Sequence, residues 1–168
     1  MPKVNHVKSA RKDNPTLGIK VGDEYWWWQH RFGPKKVSKK PPKPSQLTQS
    51  AYMQTVLSMQ EEFSEANLTA DDIDSTVDDY KTRLEELKTE CEEKLENMPE
   101  QLRESSDAGN TLQERIDALD SALSELESID TEMPEKEEDQ TQEKFDEELQ
   151  AWLEEKLGEI DSAISQLS

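Results

Sequence analysis

One cysteine, two histidines and five glycines in 168 residues leave little of what many chemical sites require. A single thiol, Cys91, rules out an internal disulfide and fits a reducing compartment. No Cys-x-x-Cys, His-Glu-x-x-His or EF-hand spacing occurs, and His6 and His30 lie far from Cys91 along the chain. No metal site, cofactor or catalytic residue is assigned, and the chain reads as a non-enzyme. So few glycines also argue against a glycine-rich phosphate loop. Hydrophobic residues make up only 32% of the chain, and the mean hydropathy is -1.02. An ordinary globular domain has roughly 45–50% apolar residues, a figure that includes glycine. The composition therefore argues against a thick two-sheet sandwich or a doubly wound α/β core. No apolar run is long enough for a membrane-spanning helix, and residues 1–8 carry charge without the apolar stretch of a signal peptide. The expectation is a soluble cytoplasmic protein without a membrane partner.

What the chain has is charge, unevenly divided. Residues 1–44 hold 11 Lys or Arg and 3 Asp or Glu, a net of +8. Residues 45–168 hold 9 basic and 36 acidic residues, a net of -27. Such asymmetry suggests a basic arm for polyanions joined to an acidic body. The overall balance of -19 conceals it.

The first 44 residues read as a small aromatic module. Asn14-Pro15 and Gly18 are turn signals, with irregular structure or one short strand expected around Gly18 to Val21. Glu24-Tyr25-Trp26-Trp27-Trp28-Gln29-His30-Arg31 is the best strand candidate, because aromatic residues suit a pleated surface. Phe32-Gly33-Pro34 turns the chain, and Lys35 to Lys39 returns as an edge-like strand. Lys40-Pro41-Pro42-Lys43-Pro44 must be extended and reads as a semi-rigid linker, giving domains 1–44 and 45–168.

Beyond the linker the apolar period changes from two to about 3.5. A first helix is expected from Ser45 to Ala66, and Thr69 with Asp72 is an N-cap arrangement. Ile73, Val77, Tyr80, Leu84, Leu87 and Cys91 then follow at spacings of 4, 3, 4, 3 and 4, an a/d seam. Leu95, Met98 and Leu102 continue it, with a kink or restart at Pro99. Ser105 to Asn110 reads as a turn with Gly109 at its C′ position, capped onward by Thr111 with Glu114 or Asn110 with Gln113. The next helix repeats the seam through Leu112, Ile116, Leu119, Leu123 and Leu126 and ends at Met133-Pro134. After an acidic loop, a last helix over 142–167 carries Phe145, Leu149, Trp152, Leu153, Leu157, Ile160, Ile164 and Leu167 on one side. The fold class is mainly α: an antiparallel helical hairpin or coiled-coil bundle with a small N-terminal basic β-hairpin module. The narrow seams could close within one chain or against a second copy.

The aromatic strand is where chemistry concentrates. Alternation puts Trp26, Trp28 and His30 on one face and Tyr25, Trp27 and Arg31 on the other. Aromatic faces stack bases and nearby lysines supply a phosphate contact. Trp26, Trp28, Arg31, Lys35, Lys36, Lys39 and Lys40 are the candidate nucleic-acid-binding residues. The rings could equally form the module's own core, divide between core and binding, or be a protein-binding hot spot. Lys3, Lys8, Arg11 and Lys12 could act as a flexible arm on phosphate, or fold back on the chain's own acidic helices. Asp71-Asp72 with Asp74, and Asp78-Asp79, read as solvated helix faces. Cys91 falls on the seam and reads as a packed hydrophobe.

Several stretches carry a resemblance. Ala10-Arg11-Lys12-Asp13-Asn14-Pro15, Gly18-Ile19-Lys20, Gly22-Asp23-Glu24-Tyr25-Trp26-Trp27, Ser38-Lys39, and Pro42 to Ser50, with Asn97-Met98-Pro99 and Leu112-Gln113-Glu114-Arg115, are their carriers. In these the chain resembles small phage- and prophage-encoded proteins with a basic N-terminal Tyr-Trp-Trp segment and a helical C-terminal part. The resemblance implies a phage or prophage setting, hence a host-cell cytoplasm, and brings no functional residues with it. Together these features favour a non-enzymatic binding protein that contacts nucleic acid or a nucleoprotein complex through its N-terminus. Its acidic helices would meet a host or phage protein, or themselves in a homo-oligomer. The alternatives are a DNA-mimicking inhibitor of a host DNA-binding protein and a coiled-coil virion assembly protein.

Overall fold

A computed structural model describes all residues, Met1–Ser168. The chain forms two compact units, Met1–Glu61 and Glu62–Ser168. It is mainly helical, with a small antiparallel sheet at the N-terminus.

In the first unit, strands β1 (Asn5–Val7), β2 (Tyr25–Gln29) and β3 (Lys35–Ser38) lie in the order β1-β2-β3. Both pairings are antiparallel, with Trp27 opposite Asn5 on one side and Val37 on the other. The expected hairpin of β2 and β3 is present, and a third strand joins it. That strand is Asn5–Val7, for which the sequence carries no pattern; of the two expectations for Gly18 to Val21, irregular structure is the one found. Residues 18–21 belong to a closed loop, where only the isolated bridge between Asn14 and Ile19 forms. A third strand matters energetically, because a lone two-stranded hairpin is marginal in water.

Beyond the sheet, Pro44–Leu47 makes a short 3-10 turn, and helix α1 spans Ala51–Glu65. The helix expected from Ser45 thus starts later. Ser50 opens it instead: its carbonyl accepts from Gln54 N–H at 2.9 Å, and its hydroxyl oxygen accepts from Met53 N–H at 3.4 Å. The unit boundary falls inside α1, past the expected division at Pro44. Two ties carry the chain beyond the prolines into the first unit. Trp28 Nε1 donates to the Gln46 carbonyl at 3.2 Å, and the Ser45 amide and hydroxyl donate to the Glu61 carboxylate at 2.9 and 2.7 Å.

The second unit contains α2 (Ile73–Glu96), α3 (Glu100–Ser105), α4 (Asp107–Ser128) and α5 (Gln142–Ser165). Helix α2 buries all six residues of the seam read from its spacing, from Ile73 to Cys91. It packs against α4, and Thr131 meets Asp74 while Lys88 meets Asp120, so the two run antiparallel. Helix α5 packs on both. Pro99 does restart the helix, at the N-cap of α3.

Two local expectations change. Gly109 is not a C′ residue, and neither proposed capping box opens the next helix. Ser106 is the N-cap of α4, its hydroxyl oxygen accepting from Gly109 N–H at 3.1 Å. Gly109 then lies in the first turn of α4, hard against α3: an added Cβ would meet the Leu102 carbonyl oxygen at 2.9 Å. Helix α4 ends at Ser128, short of Met133-Pro134. Along α4 the deepest positions are Ile116, Leu119, Ala122 and Leu126, so Ala122 takes the place expected for Leu123, which is half-buried. On α5 the N-terminal apolar residues Phe145, Leu149, Trp152 and Leu153 are half-buried, whereas Ile160, Ala163 and Ile164 are fully buried.

Candidate nucleic-acid interface

Register assigns the side chains of the small sheet to its two faces. His6, Trp26, Trp28, Lys36 and Ser38 share one, and Val7, Tyr25, Trp27, Lys35 and Val37 share the other. The division of β2 follows the alternation read from the sequence; which ring is buried does not follow from it.

On the first face only Trp28 is buried, while Trp26 is half-buried and His6 and Lys36 are exposed. Trp28 is 3% exposed, and its indole N–H is satisfied by Gln46. Trp26 stacks flat on His6, with ring centroids 4.5 Å apart and planes within 3°. His6 in turn meets the Glu24 carboxylate at 2.6 Å. Trp28 is therefore withdrawn from the binding candidates, because a ring inside the unit's core has no face to offer a base. Trp26 already has a stacking partner.

The second face carries two further rings. Tyr25 and Trp27 are half-buried, and the Lys35 ammonium sits 4.0 Å from the Trp27 ring centroid. A cation over an indole at an exposed site contributes about 0.5–1 kcal/mol. This places Lys35 and an aromatic ring in one arrangement, although the ring is the neighbour of those the sequence singled out.

The other basic candidates separate. Lys36 lies on the first face and is exposed, as is Lys40 beyond β3. Lys39 pairs with Asp23 at 3.1 Å. That carboxylate also accepts from the Lys20 backbone N–H at 3.0 Å, and the backbone bond first, the Lys39 ammonium second, hold the Asp23 pKa below its ordinary value. Arg31 lies in the turn after β2, its guanidinium 5.2 Å from the Phe32 ring. It lines a cleft of about 640 Å³ with His30, Leu47 and Met53, a cleft that Trp27 and Lys35 do not line. The His30 Nε2 in that region is buried without a hydrogen-bond partner.

Residues 10–23 form the second wall of the aromatic face. Their ends are tied by Ala10 N–H to the Asp23 carbonyl and Gly22 N–H to the Ala10 carbonyl, both at 2.9 Å. Inside, Asn14 and Ile19 exchange two backbone hydrogen bonds, and Ala10 and Ile19 are buried. Gly18 and Gly22 take positive φ angles of 63° and 92°, where a side chain would be strained. Asp13 accepts from Val21 N–H at 2.6 Å. Arg11 and Lys12, read from sequence as part of a flexible arm, are held in this tied loop. Between the loop and the sheet lies a cleft of about 670 Å³, which Tyr25, Lys35, Arg11 and Lys12 help to line. Tyr25 and Trp27, placed together on one face by alternation but not chosen as candidates, are half-buried like Trp26, and only the seat of Trp28 on Gln46 removes a ring from the choice.

In the helical unit no group of His, Cys, Asp and Glu is arranged to hold a metal ion. No helix is long and apolar enough to cross a membrane. Burial pushes the Cys91 thiol pKa up, against the pull of the Lys94 and Arg115 cations. No family model matches the chain, and neither a curated protein nor a solved structure matches it.

Proposed function

We propose that this chain is a non-enzymatic binding protein, working in a phage or prophage setting, whose N-terminal unit contacts nucleic acid or a nucleoprotein complex. The observation that carries the reading is the Tyr25–Trp27 face with Lys35 4.0 Å from the indole centroid. Rings supply stacking that tolerates any base, and cations supply the phosphate contact. Arg11 and Lys12 beside that face extend its positive charge. The unit Met1–Glu61 holds 11 basic and 4 acidic residues, a net of +7, so its field favours polyanions.

Fluorescence anisotropy with labelled oligonucleotides across a salt series tests the reading. The full chain should bind at low salt, and the logarithm of its affinity should fall linearly with the logarithm of salt concentration. Absence of salt-dependent binding overturns it. The acidic helices have a separate role in this reading, as the surface for a protein partner or a second copy. Glu85, Glu86, Glu90 and Glu93 line an exposed stretch of α2 and give that surface its character. Sedimentation velocity of the full chain distinguishes a self-associating surface from one kept for a different protein.

A further inference from the structure

We infer that the cleft between residues 10–23 and the sheet takes one unpaired nucleotide of a single strand, its base against Tyr25 and its phosphates on Arg11, Lys12 and Lys35. The inference rests on the nucleic-acid reading above and narrows it to a substrate class. The cleft, at about 670 Å³, lies within the range of roughly 300–1,000 Å³ usual for small-ligand sites. A base can enter such a space only when it has left its stack, which a single strand allows and an intact duplex resists by a few kcal/mol.

The lining matches that occupant. Tyr25 brings an aromatic ring to the lining, and Arg11, Lys12 and Lys35 bring cations to the same cleft. Ser9 and Asn14 add neutral donors and acceptors suited to a base edge, and the Asn14 side chain makes no cap hydrogen bond to the turn it precedes. The carboxylate in the cleft, Asp13, is engaged by the Val21 amide at 2.6 Å. The loop wall is already closed by its backbone bonds, so little ordering is required on binding.

The test uses the full chain with an unpaired DNA oligonucleotide, an RNA oligonucleotide of the same sequence, and the matching DNA duplex. Both single strands should bind at least about tenfold more tightly than the duplex, the size of one stacked base. Preference for RNA over DNA would support the site and add a contact to the ribose hydroxyl. Arg11→Ala should weaken single-strand binding about fivefold and lower the salt slope by about one. Lys36→Ala removes the same charge from the opposite face and should change affinity less than about twofold. Tyr25→Leu should weaken binding about tenfold with the circular dichroism spectrum unchanged. Equal affinity for duplex and single strand, or equal losses from Arg11→Ala and Lys36→Ala, overturns the cleft while leaving nucleic-acid binding intact. Failure of the full chain to bind any of the three probes overturns the broader reading as well.

Discussion

Trp27 and Trp28 are adjacent in the chain and meet opposite surroundings: one lies under a lysine ammonium, the other inside the first unit. Burial of Trp28 predicts that Trp28→Ala costs about 3–5 kcal/mol, enough to unfold the small sheet. Thermal melts followed through the remaining tryptophans should show it, and Trp27→Ala should cost clearly less. Asp72 gives a pH prediction. Its carboxylate accepts from the Thr69 hydroxyl at 2.7 Å and the Thr69 amide at 2.9 Å, which lowers its pKa from 3.8. A lowered acid stabilises the fold above its unfolded pKa, and that contribution is lost as pH falls through the folded value. Asp72→Asn should therefore destabilise the protein in urea melts at neutral pH and make little difference in strong acid. That cap was legible in the sequence because it is local, a Thr and an Asp three residues apart. The environment of Trp28 was not, because it depends on Gln46, 18 residues away.

At the scale of elements, the six seam residues from Ile73 to Cys91 are buried as their spacing predicts, whereas its expected continuation ends there: Leu95 and Met98 are half-buried and Leu102 is 52% exposed, because Pro99 restarts the helix. Leu84, fully buried in the middle of α2, should cost about 2–5 kcal/mol when changed to Ala. Leu123→Ala should cost less, because Ala122 holds the deeper position on α4. Chemical denaturation of the two variants checks the order. Helix α4 packs on α2, α3 and α5, so the position that goes deepest is set by more than one neighbour, and a 3.5-residue template describes only one. The same happens on α5, where Lys156 is 8% exposed while Leu157 is half-buried. Its ammonium is held by Glu159 at 3.0 Å and Glu155 at 3.8 Å, with the aliphatic stem covering apolar surface. Gly109 was misread for a related reason. Its composition says turn, whereas its role is to let α3 approach α4. Gly109→Ala, a change that favours an ordinary helix, should here destabilise, because the new Cβ would press on α3.

For the molecule as a whole, the division of charge sets two responses to salt with opposite signs. The unit Glu62–Ser168 holds 9 basic and 35 acidic residues, a net of -26. Self-repulsion at that density works against its compact state and is screened by salt, with a Debye length of about 30 Å at 0.01 M and 8 Å at 0.15 M. Raising salt over that range should raise the melting temperature followed by helical circular dichroism, while weakening oligonucleotide binding. The mainly helical class and the aromatic module were legible in the sequence, because periodicity and charge survive averaging over many residues. Strand β1 was not: Asn5-His6-Val7 is too short to carry a pattern, and it is a strand through its pairing with β2.

The ammonium of Lys35 over Trp27 has a consequence for the resting protein. An indole left bare on a sheet face is adhesive toward any other apolar surface, including that of a neighbouring molecule. Here the ring carries its own hydrated guard, the Lys35 ammonium 4.0 Å from its centroid. One residue thus keeps the ring from neighbouring molecules, and Lys35→Ala should make the protein more prone to clump, read by light scattering against concentration.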